Sequence, residues 1–341
     1  MATLPPEALP GAAPKKADLV LEGGGVKGIA LVGAAVALAE DGYRFERVAG
    51  SSAGALVGAI MVAMQQRNEP MSRVDDIMRT LDYTKMLDRR GPGRAFRWWP
   101  AIANGFGIVL NQGMYHGKYL EDWTRGVLND LGVRTFGDLA FPDPGSALDP
   151  EQSYRLVVTA SDLSRQQLMY LPWDLDEYGL DTANYSVARA VRASAAIPFM
   201  FEPVTLQGRY GTSTLADGSL LRSYPIEIFD RDDGKPSRWP TLGIRLSSPS
   251  NEQELAKPIT GPISMILSLV YTTVDSTQVR HVHDPINVER SIFAKPSGIK
   301  WTDFDLTPDQ QQHLYDAGHA AGRKWLEAHP DGLPQRTVET G

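Results

Sequence analysis

The 341-residue sequence predicts an α/β fold, with a mostly parallel central sheet and helices on both faces. Three observations carry this reading. Short apolar runs of strand length alternate with longer runs of helical spacing, and such alternation builds βαβ units. The first two strand-to-helix junctions are glycine-rich, at Gly23-Gly24-Gly25-Val26-Lys27-Gly28 and at Gly50-Ser51-Ser52-Ala53-Gly54. After residue 17 no repeat, low-complexity tract or clear linker interrupts the chain. One domain over residues 18–330 is therefore expected, between tails at 1–17 and 331–341.

The elements follow in order. Residues 18–21 are a short apolar run bounded by glycines, and read as a strand. Residues 29–40 are Ala-rich with helical spacing and end at the turn pair Asp41-Gly42. Residues 45–48 form a second strand, and 53–65 a second helix, small on one face and apolar on the other. Residues 74–81 and 119–131 read as helices, 142–150 (PDPGSALDP) as a loop, 155–160 as a strand and 186–194 as a helix. Residues 214–217 lead into a turn at Asp217-Gly218-Ser219. A charged loop covers 230–240, a strand 242–246, and helices 263–279 and 308–329.

Composition narrows the function classes. At 42% hydrophobic and 22% charged residues the chain has the make-up of a soluble globular protein. A net charge of -7 argues against a nucleic-acid binder, whose footprint is basic. The absence of cysteine excludes thiol nucleophiles, disulfides and thiolate metal sites. The opening MATLPPEALPGAAPKK has no basic region followed by an apolar core, so it does not read as a signal peptide. No apolar stretch reaches the ~20 residues that span a bilayer. The expectation is a cytoplasmic protein, or one peripheral at a membrane.

The two glycine clusters admit rival readings. The first contains G-x-G-x-x-G after a strand and before a helix, as a dinucleotide site requires. Such a site also needs an acid at the end of the second strand, about 20 residues on. Here that strand runs into Gly50-Ser51-Ser52, and Glu46 lies near its start. A phosphate loop fails too, because Ile29 follows Gly28 where Lys and then Ser or Thr are needed.

An acyl-transfer site explains both clusters together. G-x-S-x-G on a sharp strand-to-helix turn presents a nucleophilic serine. Only Ser52 has glycine two residues away on both sides, Gly50 and Gly54, whereas Ser51 has Ala49 and Ala53. Ser52 would sit at a helix N-terminus, whose partial positive charge favours an alkoxide. The turn of Gly23, Gly24, Gly25, Val26, Lys27 and Gly28 ends the adjacent strand. Its backbone N–H groups can meet the charge that builds on an attacked carbonyl oxygen, forming an oxyanion hole. Lys27 either adds positive charge there, or merely caps the turn or faces solvent.

These clusters resemble the patatin-like phospholipase family, together with Asp217-Gly218 and the segment Ala193-Ser194-Ala195-Ala196-Ile197-Pro198-Phe199. The resemblance covers residues 18–228. It implies a patatin-like three-layer sandwich and a serine lipid acyl hydrolase, of phospholipase A type or an esterase. It further implies a Ser–Asp dyad, an acyl-enzyme intermediate and no catalytic histidine, with Ser52 as nucleophile and Asp217 as base. The family usually has Asp-Gly-Gly or Asp-Gly-Ala at the aspartate, whereas this chain has Asp217-Gly218-Ser219. Serine is small enough to keep the turn, and offers the site a hydroxyl. No metal or cofactor is expected. An acyltransferase would use the same dyad, and a non-catalytic lipid-binding regulatory protein is the reading from another class.

A Ser-His-Asp triad would need a histidine. His313 and His319 are six apart and do not share a helix face. His281 and His283 lack a matched third metal ligand, and His329 precedes Pro330. His116 is the strongest triad candidate. The expected partner is a lipid or phospholipid at a peripheral membrane surface, with the oligomeric state open. Residues 89–99 (RRGPGRAFRWW) suit that surface through Arg94, Phe96, Trp98 and Trp99. Arginines attract anionic headgroups, and aromatics favour the headgroup boundary. In an ordinary loop the same aromatics would pack on the core. Candidate walls for an acyl pocket are residues 263–274 and Ile197-Pro198-Phe199-Met200-Phe201.

Overall fold

The computed structural model describes residues 13–88, 113–246, 272 and 284–333. Arg94, Phe96, Trp98 and Trp99, the helix expected over 263–279 apart from Thr272, and His281 and His283 lie outside the described residues. In chain order the elements are β1 (Lys15–Leu21), α1 (Gly28–Glu40), β2 (Tyr43–Gly50), α2 (Ala53–Gln66), α3 (Arg73–Arg79), β3 (Gly113–Tyr115), α4 (Lys118–Asp130), β4 (Leu156–Asp162), β5 (Gln167–Leu171), α5 (Val187–Ser194), β6 (Phe199–Phe201), β7 (Val204–Gly208), β8 (Gly211–Asp217), α6 (Ser219–Arg222), β9 (Thr241–Arg245), α7 (Pro285–Glu289), β10 (Ser291–Phe293) and α8 (Pro308–Ala328). β1 thus begins at Lys15, inside the segment read from sequence as a tail.

Strands β10, β9, β1, β2 and β4 pair in that order, each parallel to the next. Parallel strands are covered on both faces, which is why they read as continuous apolar runs. Alternate residues serve the two faces. Leu19 and Leu21 join the larger core with Val48, Leu156 and Val158, while Val20, Ala49 and Val157 join a smaller one. Residues of α1, α2, α5 and α8 complete the larger core. Tyr224, Ile226 and Phe229 cover the other face, with Tyr170 and Trp173 packed against them. α1 is apolar all round because it is sandwiched between the sheet and α8.

The rest of the sheet is antiparallel. β5 and β8 pair with β4, and β7 pairs with β8. β5 and β7 have no counterpart in the sequence reading. They are five residues each, half-exposed, and joined to their partners by short turns, so they lack the apolar run that marks a parallel strand. β3 and β6 form a separate two-stranded sheet.

β4 is where the two halves meet. Its start, up to Val158, pairs with the end of β2, and its end, from Ala160, pairs with the end of β8. β5 pairs along Val158 to Asp162. A strand has two edges, and β5 fills one of them there, so β2 and β8 share the other. They approach from opposite directions and stop on either side of Thr159.

Candidate active site

Leu21 and Gly50 are register partners, so β1 and β2 end side by side. Each then turns sharply into a helix, which brings the two glycine clusters together at one edge of the sheet. Ser52 caps α2 with φ 52° and ψ −119°, a conformation that side chains other than glycine rarely adopt. Gly50 and Gly54 make this possible. A β-carbon on Gly50 would run into the Gly54 backbone, and one on Gly54 into the Leu21 carbonyl oxygen. Strand end and helix start are therefore packed backbone to backbone around the serine.

The two adjacent serines have different fates. Ser51 is fully buried, its Oγ donating to the Arg222 carbonyl at 2.8 Å and accepting from Thr159 Oγ1 at 2.6 Å. Ser52 Oγ donates to Asp217 Oδ2 at 2.7 Å. Asp217 is the last residue of β8, so the shared edge of β4 delivers it to the elbow head-on. Its other oxygen, Oδ1, accepts the Ser219 N–H at 2.8 Å. Ser219 thus reaches the carboxylate through its backbone, and its buried Oγ has no hydrogen-bond partner among the described residues. Burial pushes the Asp217 carboxyl up to about 6, against the opposing pull of the Ser52 hydroxyl and the Ser219 N–H.

Further hydroxyls brace the backbone around this pair. Ser194 Oγ accepts the Ser52 N–H at 2.8 Å, and Ser161 Oγ donates to the Asp217 carbonyl at 2.8 Å. Sequence reasoning missed Thr159 and Ser161. The signal was available: two hydroxyls two residues apart, on one face of a fully buried strand.

The glycine-rich turn divides its donors. The N–H groups of Gly23, Val26, Lys27 and Gly28 are bonded to the carbonyls of Ser223, Trp301, Gly24 and Gly25. Those of Gly24, Gly25 and Ala53 have no acceptor among the described residues. Gly25 has φ +56°, and a β-carbon there would strike the Trp301 carbonyl oxygen. Lys27 is partly buried at the start of α1.

Ser52, Gly25 and Ala53 open onto an apolar groove whose walls include Leu56, Met78, Leu81, Met86, Leu120 and Phe304. Of the walls expected from sequence, Ile197 and Phe201 line it, and residues 263–274 apart from Thr272 lie outside the described residues. His116 is engaged elsewhere, with Nδ1 2.8 Å from Glu202 Oε2. Glu46 is paired with Lys16 at 3.2 Å and Arg155 at 3.6 Å, remote from the end of β2. No helix among the described residues is long and apolar enough to cross a membrane.

The model of the patatin-like phospholipase family matches residues 19–230. The uncharacterized protein YqhO of Bacillus subtilis (strain 168) is 34% identical over 304 residues, 88% of this chain and 94% of its own length. An uncharacterized protein of Acanthamoeba polyphaga mimivirus is 25% identical over 310 residues, 88% of this chain and 90% of its own. The crystal structure of VipD from Legionella pneumophila shares the fold, with a TM-score of 0.51 at 17% identity over 95% of this chain and 70% of that one. The chain belongs to the patatin-like phospholipase family, and membership supports a function in lipid hydrolysis.

Proposed function

We propose that the chain is a serine lipid acyl hydrolase, of phospholipase A or esterase type, working through a Ser52–Asp217 dyad and an acyl-enzyme. The observation that carries this reading is the 2.7 Å hydrogen bond from Ser52 Oγ to Asp217 Oδ2 at the edge of an apolar groove. Asp217 takes the hydroxyl proton as Ser52 Oγ attacks the ester carbonyl carbon. Negative charge gathers on the carbonyl oxygen, and the open N–H groups of Gly24, Gly25 and Ala53 suit it, helped by the positive end of α2. The carbonyl reforms, the ester C–O bond breaks, and the alcohol leaves with the proton from Asp217. Water then attacks the acyl-enzyme and gives a proton to Asp217. The fatty acid departs and Ser52 Oγ recovers that proton.

The groove fits the acyl chain of such a substrate, since burying each methylene is worth about 0.8 kcal/mol. Approach to a lipid surface is assigned to Arg94, Phe96, Trp98 and Trp99 on their chemistry alone. They follow the groove residue Met86 closely in the chain.

A fluorophosphonate probe and a short-chain nitrophenyl ester test the proposal. The wild type is expected to be labelled on Ser52 and to cleave the ester. Ser52→Ala should lose both with its fold intact, and His116→Ala should keep most activity. Near-complete loss in the histidine variant would sink the dyad, and an inert, unlabelled wild type would favour a lipid-binding role.

A further inference from the structure

We infer that Ser194 is a positioning residue for the nucleophile, acting through the backbone of Ser52. The inference rests on the Ser52–Asp217 dyad proposed above. Ser194 is the last residue of α5 and is fully buried. Its Oγ accepts the Ser52 N–H at 2.8 Å, and its carbonyl accepts the Gly218 N–H at 3.3 Å. Two residues on, the Ala196 carbonyl accepts the Asp217 N–H at 2.9 Å. One short segment therefore holds the backbone on both sides of the Oγ–Oδ2 contact.

The two sides do not depend on it equally. Asp217 ends a strand set beside Ala160 of β4, and the Ser161 hydroxyl holds its carbonyl at 2.8 Å. Ser52 lies past the last paired residue of β2 and before the first residue of α2. Its carbonyl is held by the N–H groups of Ala55 and Leu56, but its own N–H has neither a sheet nor a helix partner. A buried N–H needs an acceptor, and Ser194 Oγ supplies it. That bond fixes the Ser51–Ser52 peptide plane while Ser52 sits at φ 52°. Without it the plane can relax toward an ordinary conformation, and the rotation carries Cβ and Oγ away from Asp217. An alanine would fill the space but accept nothing. The Ser52 hydrogen bond also opposes the effect of burial on Asp217, so loosening it should move the carboxyl further up.

The test measures kcat, KM and the pH profile of kcat/KM per fluorophosphonate-titratable site, on the full chain. The variants are Ser194→Ala and Ser194→Cys, the latter keeping bulk while offering only a weak acceptor. If the alanine variant fails to fold, the cysteine variant carries the comparison. In the variants kcat should fall about 10- to 100-fold, the scale of an ångström-sized misplacement of a reacting group, with KM little changed. The acid limb should move to higher pH. A role confined to folding would reduce the number of titratable sites but leave kcat per site and the acid limb unmoved, and that result overturns the inference. Ser52→Ala and Asp217→Asn run alongside. If either keeps wild-type turnover, the dyad falls and Ser194 with it. If both abolish turnover while the Ser194 variants behave as wild type, only the Ser194 inference falls.

Discussion

Burial raises the Asp217 carboxyl from its ordinary 3.8 to about 6, with separate consequences for activity and for stability. A general base must be deprotonated, so kcat/KM should fall as pH drops through 6, and at pH 5 about a tenth of the molecules carry the carboxylate. A pH–rate profile on a nitrophenyl ester checks this. For stability the sign is opposite to that of a salt-bridged acid. Below about pH 4 folded and unfolded chains both hold the proton, and burial of Asp217 carries no ionisation cost. Between about 4 and 6 only the unfolded chain releases it, so stability declines as pH rises, then levels off with a penalty of up to about 3 kcal/mol. Asp217→Asn should therefore melt above the wild type at pH 8, with the gap closing toward pH 4. Thermal denaturation at the two pH values is the measurement. In the proposed dyad this residue sacrifices stability for a base whose pKa lies near neutrality.

At the scale of elements, the elbow and the long helices behave differently. Gly54 opens α2 against the Leu21 carbonyl, so Gly54→Ala must push the helix off β1. A loss of about 1–3 kcal/mol or more is expected, with a lower melting temperature and loss of fluorophosphonate labelling. Gly126 lies on the exposed side of α4 with nothing near its missing β-carbon. Gly126→Ala should instead add about 0.5–1 kcal/mol and leave activity unchanged, by the same two measurements. α1 and α2 were legible because their apolar periodicity and glycine-rich starts are local signals, and their ends fell within a residue of expectation. β5 and β7 were not, since a short half-exposed strand is defined by its partner rather than by its own sequence.

The whole molecule combines a parallel half, which carries the elbow and the glycine-rich turn, with an antiparallel half that returns Asp217 to them. The apolar groove faces that junction, with Met78, Leu81 and Met86 on its walls. If the segment holding Trp98 and Trp99 meets a membrane, Trp98→Ala/Trp99→Ala should weaken binding to anionic liposomes while leaving hydrolysis of a soluble ester intact. Co-sedimentation with vesicles decides, and unchanged binding would remove those aromatics from the interface.

By itself the sequence determined the βαβ start and the two sharp glycine-rich junctions that end β1 and β2. Each depends on residues within a few positions of one another, where sterics and spacing act directly. Tertiary structure alone decided which N–H groups of that turn stay open, where Ser194 and Thr159 reach the elbow, and how Asp217 meets a serine 165 residues away. Those outcomes depend on two strands meeting tip to tip along one edge of β4, and strand pairing between distant segments leaves no periodic trace in either one.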